Sequence, residues 1–247
     1  MTPVPLLAGR NLRKHYPMGA EPVQALRGVD IDVFPGDLLA LRGPSGSGKT
    51  TLINLLGLLD RPDSGTLLLD GQDTQALSED ARADTRRDRF GFIFQTFNLI
   101  PVLTAAENVG YPMLLKPQPR HSWRAALSSI PSAKPQPPAH MQVRARELLA
   151  AVGLTGKEDT RPDLLSGGQR QRVAIARALA NHPAVIFADE PTANLDSHTA
   201  DAILDLLQRL NREQQVAIVV STHDPRVVER CTRVLTLHDG AILRDAA

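Results

Sequence analysis

The sequence has little cysteine, little net charge and no long apolar runs, and each of these absences bears on where the protein is found and what it binds. Its single cysteine, Cys231, cannot close an internal disulfide, which fits a reducing compartment. The 28 lysines and arginines nearly balance the 27 aspartates and glutamates, so no strong overall field attracts nucleic acid or anionic lipid. No window reaches the roughly 18 apolar residues that span a bilayer, and the N-terminus lacks the pattern of a secretory signal. We therefore expect a cytoplasmic protein that binds no nucleic acid and meets a membrane only through another polypeptide.

The distribution of apolar residues predicts an α/β fold around a mostly parallel sheet. Three short, mainly apolar runs lie at positions 38–41, 184–190 and 216–224, and helix-like stretches separate them. Such runs are typical of strands buried on both faces, and ligands bind at the carboxyl ends of these strands. Residues 29–34 alternate between apolar and acidic side chains, which predicts an N-terminal antiparallel edge.

Local signals mark three further segments. The pair Asp239–Gly240 lies between two apolar runs and predicts a closing hairpin. A helix is predicted from Met141, with Val143 among its apolar positions and Gly153 as its C-terminal stop. Residues 112–138 are rich in proline, serine and basic residues without a sustained period, so we expect a loop or a partly ordered insertion there.

A phosphate-binding loop is predicted between the first apolar strand and the helix after it. Residues 43–50, GPSGSGKT, fit the pattern G-x-x-x-x-G-K-[ST], and their placement disfavours the alternative of a glycine-serine turn that only caps a helix. The glycines let successive backbone N–H groups face a phosphate, while Lys49 reaches the β and γ phosphates and Thr50 offers its hydroxyl to Mg²⁺. The predicted nucleotide contacts are Gly43, Pro44, Ser45, Gly46, Ser47, Gly48, Lys49, Thr50 and, near the α phosphate, Thr51.

Polar residues end the two later strands. Asp189 is predicted to hold Mg²⁺ through water, and Glu190, which points differently because side chains alternate along a strand, is predicted to polarise the attacking water. His223 follows the next apolar strand and is predicted to reach the γ phosphate or to hold Glu190 and the water. Taken singly, an acidic pair is often a helix cap and a lone histidine is usually a surface residue, so these roles depend on the nearby phosphate loop.

A second anion-binding element lies far along the chain. Residues 165–170 read LSGGQR and precede a helix-like stretch, so that Gly167 and Gly168 expose backbone N–H groups at a helix start. One nucleotide needs only one phosphate loop. We therefore expect Ser166, Gly167, Gly168 and Gln169 to contact the nucleotide of another subunit; a plain glycine-rich helix cap is the alternative.

With these motifs in this order, the chain resembles an ABC transporter ATPase subunit from about Arg10 to Arg244. The set also includes ANLD at 193–196 and STHD ending at Asp224. The resemblance implies a P-loop NTPase (RecA-like) core over residues 5–94 and 170–244 of a domain spanning 5–244. It also implies an N-terminal antiparallel β subdomain and an inserted α-helical subdomain over 95–169 that contains the insertion 112–138.

The resemblance also implies roles that the motifs alone do not. Tyr16 would stack on adenine with Val23 nearby, and Gln95 would link Mg²⁺ and the attacking water to the transporter contact. Two copies would form a head-to-tail homodimer on ATP binding, in which Asp196 couples the two sites.

Finer sequence details are similar to the lipoprotein-release, macrolide-export and cell-division branch of the family. The resemblance implies a partner that is an integral membrane permease of the FtsX/MacB-like type, with this chain peripheral on the inner membrane through the permease. Two other classes share the phosphate loop and the signature: chromosome-maintenance or DNA-repair ATPases, and soluble regulators. The first usually carries a long coiled coil or zinc modules and the second two fused cassettes, and neither feature is found here.

Overall fold

The structure, a computed structural model, describes residues 4–18, 21–116 and 138–246. The chain divides into two compact units, one formed by residues 1–96 and 183–247 and the other by residues 97–182. The second unit therefore interrupts the sequence of the first. Most of the predicted Pro-rich insertion, residues 117–137, lies outside the described residues.

The larger sheet of the first unit is mostly parallel, as predicted. Its strand order is β10-β9-β3-β8-β7-β6; β9, β3, β8, β7 and β6 pair in parallel, and β10 pairs antiparallel with β9. The strands are β3 (Leu38–Arg42), β6 (Phe90–Ile93), β7 (Val185–Asp189), β8 (Ala217–Thr222), β9 (Arg233–His238) and β10 (Ala241–Ala246).

The predicted N-terminal antiparallel sheet is also present. Its order is β2-β1-β4-β5, and Val29, Ile31 and Val33 are buried on one face of β2, as their alternation requires. The strands are β1 (Leu7–Met18), β2 (Glu21–Val33), β4 (Ser64–Leu69) and β5 (Gln72–Asp73).

Helices cover the parallel sheet and share one apolar core with it. Leu39 of β3 and Phe187 of β7 belong to the same buried cluster as Leu52 and Leu55 of the first helix. Burying each such side chain contributes roughly 1.5–3 kcal/mol. The helices of this unit are α1 (Lys49–Leu56), α2 (Glu79–Arg89), α6 (Ser197–Gln214) and α7 (Pro225–Arg230).

The predicted hairpin closes the first unit. Asp239 and Gly240 connect β9 to β10 with φ values of 46° and 77°. Two consecutive residues with positive φ suit the right-handed twist of a two-residue hairpin, which explains why an Asp-Gly pair occupies the turn.

The second unit is helical and corrects two of our predictions. Its helices are α3 (Ala105–Leu114), α4 (Ala139–Ala151) and α5 (Gly167–Ala178). Pro112 lies inside α3, so the predicted loop does not begin there; proline lacks the N–H that would bond to the Asn108 carbonyl, and the helix ends two residues later at Leu114. Val143 of α4 is 54% exposed, because Met141, Ala145 and Leu148 form the buried stripe instead.

No helix in the described parts of the chain is long and apolar enough to cross a membrane.

Asn211 of α6 is a buried polar anchor beside the amino ends of the parallel strands. Its Nδ2 donates to the carbonyl oxygens of Gly36, Asp37 and Val216 at 3.0, 3.2 and 2.8 Å. We expect Asn211→Ala to lower the free energy of unfolding by about 2 kcal/mol, because buried carbonyls would lose their donor. Chemical denaturation measures this. The control Gln214→Ala, at an exposed position of the same helix, should change stability by less than about 0.5 kcal/mol; equal effects would contradict the assignment.

Candidate functional site

A cavity of about 650 Å³ opens in the first unit beside the carboxyl ends of β3, β7 and β8. Ala25 lines it and was not predicted from the sequence. The cavity brings together most of the predicted site residues of this unit, namely Val23, Pro44, Ser45, Gly46, Gly48, Lys49, Thr50, Thr51, Gln95, Asp189, Glu190 and His223.

The phosphate loop has the backbone that its glycines permit. Gly46 and Gly48 have φ values of 79° and 101°, in the left-handed region that L side chains rarely adopt. A Cβ at Gly48 would also lie 2.5 Å from the carbonyl oxygen of Ala25. Glycine at 48 is therefore required both by conformation and by the close approach of β2.

The side chain of Lys49 is held against the backbone of the phosphate loop. It is 8% exposed, and its Nζ donates to the carbonyl oxygens of Gly43 and Pro44, both at 2.9 Å. An ammonium group has three hydrogens, so one donor remains for an anion in the cavity. Burying a cation against neutral carbonyls is costly, and a phosphate would offset that cost.

The side chains of Thr50 and Asp189 fit a phosphate-bound metal ion. Ser47, a predicted nucleotide contact, is 2% exposed and does not line the cavity, and its Oγ has no hydrogen-bond partner within the described residues. The Thr50 hydroxyl lies 3.2 and 3.3 Å from the two carboxylate oxygens of Asp189, which also accepts a hydrogen bond from the Ser221 hydroxyl. Hydroxyl and carboxylate oxygens are the ligands that Mg²⁺ prefers, so this donor set fits the predicted ion.

Glu190 and His223 form a contact pair at the edge of the cavity. The Nδ1 atom of His223 lies 2.8 Å from Oε1 of Glu190, and the two side chains are 70% and 18% exposed respectively. Glu190 has a φ of 47°, and its N–H donates to the Ser221 carbonyl oxygen at 3.1 Å. Left-handed backbone at a non-glycine residue costs free energy and clusters at functional sites.

Tyr16 does not line the cavity, but its neighbours do. It is the cross-strand partner of Val23, and its hydroxyl interacts with the Thr51 hydroxyl. The same hydroxyl donates to Oδ2 of Asp60 at 2.8 Å. Burial and this bond raise the pKa of Tyr16 to about 12, so the phenol keeps its proton. Asp60 was not predicted as a site residue: the segment that contains it, residues 57–67, indicated only a branch of the family.

Ser166 caps helix α5 in the second unit. Its hydroxyl accepts from the Gln169 N–H at 3.3 Å, and the Gln169 side chain accepts from the Ser166 N–H at 3.0 Å, which forms a capping box. Ser166 is exposed, and Gly167 and Gly168 are half-buried. Ser166, Gly167, Gly168 and Gln169 belong to the second compact unit.

Asp196 and Gln95 belong to the first unit. Asp196 is exposed and caps α6 by accepting from the Thr199 N–H at 3.0 Å, a bond that lowers the pKa of its carboxyl below the ordinary value. The Gln95 carbonyl oxygen accepts from Nδ2 of Asn194 at 2.8 Å, and its side chain lines the cavity. Asp196 does not line the cavity.

Comparisons with known proteins agree on one family. The sequence model of the family described as ABC transporter matches residues 26–193. The chain is 46% identical to the macrolide export ATP-binding/permease protein MacB of Syntrophobacter fumaroxidans over 96% of its own length but 31% of that protein. It is 45% identical to the lipoprotein-releasing system ATP-binding protein LolD of Anaeromyxobacter dehalogenans, covering 99% of this chain and 94% of that one.

A solved structure is similar throughout. The ATP-binding cassette MJ0796 of Methanocaldococcus jannaschii, in a dimeric post-hydrolysis state bound to ADP and Pi, superposes with a TM-score of 0.83. It is 41% identical, and the alignment covers 97% of both chains. The chain therefore belongs to the ABC transporter family and is an ATPase, as predicted. It spans about a third of the length of the macrolide-export relative.

The close approach at Gly48 predicts a specific loss of nucleotide binding. Gly48→Ala should weaken ATP binding at least tenfold, because the new Cβ forces the loop away from Ala25 and turns its N–H groups out of position. Isothermal titration calorimetry measures this. Gly71→Ala is the matched control: Gly71 has a φ of 79° but nothing within 4 Å of an added Cβ, so it should cost about 1–2 kcal/mol of stability and leave ATP affinity within about twofold. Unchanged affinity in the Gly48 variant would contradict the assignment.

Proposed function

We propose that this chain is the ATP-hydrolysing subunit of a transporter, which couples ATP-driven closure of a dimer to a separate membrane permease. The observation that carries the proposal is the convergence of Lys49, Thr50, Asp189, Glu190 and His223 around one cavity. These are the groups needed to bind a triphosphate, hold a metal ion and orient a water.

Different residues of the site would bind the phosphates and the metal ion of Mg-ATP. Backbone N–H groups from Gly43 to Thr50 and the third hydrogen of Lys49 would bind the phosphates. The Thr50 hydroxyl and Asp189 would hold Mg²⁺, with Gln95 as a third oxygen ligand. When bound, Mg²⁺ would neutralise charge that develops on the β and γ phosphates.

Glu190 is the proposed base. It follows Asp189 directly, just beyond the last residue of β7 and not within the strand as the predicted alternation assumed, and its carboxylate contacts His223. Glu190 would accept a proton from the attacking water, and His223 would hold the carboxylate and contact the γ phosphate.

The proposed active form is a head-to-tail homodimer. Ser166, Gly167, Gly168 and Gln169 of one subunit would close over the nucleotide that the phosphate loop of the other subunit holds. Exposed helix-start N–H groups suit an anion, and exposed Asp196 would couple the two sites across the interface. The dimeric state of the similar cassette bound to ADP and Pi supports this arrangement.

The proposed partner is an integral membrane permease of the FtsX/MacB-like type, with this chain peripheral on the cytoplasmic face of the membrane. The support is the similarity to proteins named as a lipoprotein-releasing ATP-binding subunit and a macrolide export ATP-binding/permease protein. These names favour transport over the DNA-repair and regulatory classes. Within the cassette, we propose 5–94 and 170–244 as core and 95–169 as helical subdomain, although the compact units of the structure divide at residues 96/97 and 182/183 instead.

Glu190→Gln should bind ATP with nearly wild-type affinity, lose at least about a hundredfold in turnover and accumulate as a dimer in Mg-ATP, because the amide cannot take the proton. Phosphate release and size-exclusion chromatography with light scattering measure these effects. Lys49→Ala is the comparison: it should lose nucleotide affinity and form no dimer. Normal hydrolysis by the Glu190 variant would remove Glu190 as the base.

Purification of the tagged chain from detergent extracts under native conditions tests whether it binds a membrane permease. We expect the tagged chain to retain an integral membrane permease, and Glu190→Gln with Mg-ATP to retain it too. Recovery of the chain without any membrane protein, under conditions in which it is folded and binds ATP, would contradict the transport proposal.

A further inference from the structure

Tyr16 lies in a network of charged groups that the nucleotide motifs do not include. Its hydroxyl donates to Oδ2 of Asp60 at 2.8 Å, and the other oxygen of Asp60 accepts from Nζ of Lys14, also at 2.8 Å. The Lys14 ammonium lies 5.3 Å from the centroid of the Tyr16 ring. One carboxylate therefore joins the hydroxyl of the ring to a cation that covers the ring face.

Asp60 is itself held in place. It stands just after α1, the helix that the phosphate loop begins, and its Oδ1 accepts from the backbone N–H of Arg61 at 2.7 Å. Its carbonyl oxygen accepts from Nη2 of Arg82 at 2.7 Å, and Arg82 is 2% exposed. Burial alone would raise the pKa of Asp60, but the bonds from Lys14 and Tyr16 outweigh it, so its pKa lies below the ordinary value and the carboxylate stays charged.

Aromatic stacking depends on where the ring lies and on the direction of its plane. The bond from the Tyr16 hydroxyl to Asp60 fixes where the far end of the side chain lies, which selects one χ1 rotamer. The hydroxyl oxygen lies on the axis about which the ring turns, so the Lys14 ammonium over the ring face is what favours one direction of the plane. The near end of Tyr16 is fixed by its strand, where it pairs with Val23 of β2. The far end is fixed by Asp60. Because Val23 and Thr51 both line the cavity, the fixed ring borders the place where the base of a nucleotide would lie.

We propose that Asp60 is a positioning residue for base recognition: its carboxylate, through the Tyr16 hydroxyl and the Lys14 ammonium, holds the Tyr16 ring ready to stack on adenine. The inference rests on the proposed contact of Tyr16 with the base. The hydrogen bonds seen for Asp60 within the described residues include none to residues 43–50 or to the proposed metal ligands, so its effect should fall on the base part of the ligand.

The test compares a nucleotide with a ligand that has no base. Asp60→Ala should raise the Kd for Mg-ATP roughly fivefold and leave the Kd for magnesium tripolyphosphate within about twofold, because a charge-assisted bond that orders the ring is lost while the phosphate loop is unchanged. Tyr16→Phe, which removes only the hydroxyl, should weaken ATP binding by a similar factor. In the Tyr16→Phe background, Asp60→Ala should add less than about twofold.

Asp63→Asn is the matched control. Asp63 lies in the same loop, 3.6 Å from Nζ of Lys14, and accepts from the His15 N–H, but it does not bond to Tyr16. Its loss should leave the Kd for Mg-ATP within about twofold. If Asp60→Ala fails to fold, as thermal melting would reveal, Asp60→Asn keeps the volume and an acceptor and should restore much of the affinity; Tyr16→Phe still tests the bond from its other end.

Four results separate the possible failures. Equal weakening of ATP and tripolyphosphate by Asp60→Ala would mean that it distorts the phosphate loop, which overturns the inference. Effects of Asp60→Ala and Tyr16→Phe that multiply in the double variant would also overturn it. If Tyr16→Ala leaves ATP affinity unchanged, the proposed base contact itself fails; if Tyr16→Ala weakens ATP binding and Asp60→Ala does not, only the role of Asp60 fails.

Discussion

The parallel register of β3, β8 and β7 is the constraint on which the site depends. Because these strands are adjacent and run in the same direction, Arg42, Thr222 and Asp189 end at one edge of the sheet. The phosphate loop follows β3, the acidic pair ends β7, and His223 follows β8, so groups far apart in sequence meet at one cavity. The buried apolar strands supply the stability, and the polar groups at their ends supply the chemistry.

Several features of the site are unfavourable in free energy, and the buried apolar core must offset them. Lys49 is buried against neutral carbonyls, Ser47 keeps an unpartnered hydroxyl within the described residues, and Glu190 has a left-handed backbone. Each feature would be unfavourable in an ordinary loop; in the proposed function, a bound triphosphate would offset the burial of Lys49, and the backbone of Glu190 would place its carboxylate for the attacking water. In the same way, the network of Asp60, Lys14 and Tyr16 would hold the Tyr16 ring in place before the base of a nucleotide binds.

Much of the fold and of the phosphate site could be predicted because their signals are local. The phosphate loop, the strand ends and the Asp239–Gly240 hairpin each follow from short runs of residues whose backbone requirements are known. The contacts of Asp60 could not, since its partners Tyr16 and Lys14 lie 44 and 46 residues away and meet it only through tertiary packing. Val143 fits the apolar period of α4, yet it is exposed, because the packing partners of a helix decide which stripe is buried.

The central proposal is that two copies of the chain share each nucleotide, and a crystal structure of the Glu190→Gln variant with Mg-ATP tests it most directly. The account predicts a closed pair in which each triphosphate contacts residues 43–50 of one subunit and Ser166 and Gln169 of the other. A nucleotide-bound structure in which residues 166–169 contact no triphosphate, from a variant that forms no closed pair in solution, would contradict it.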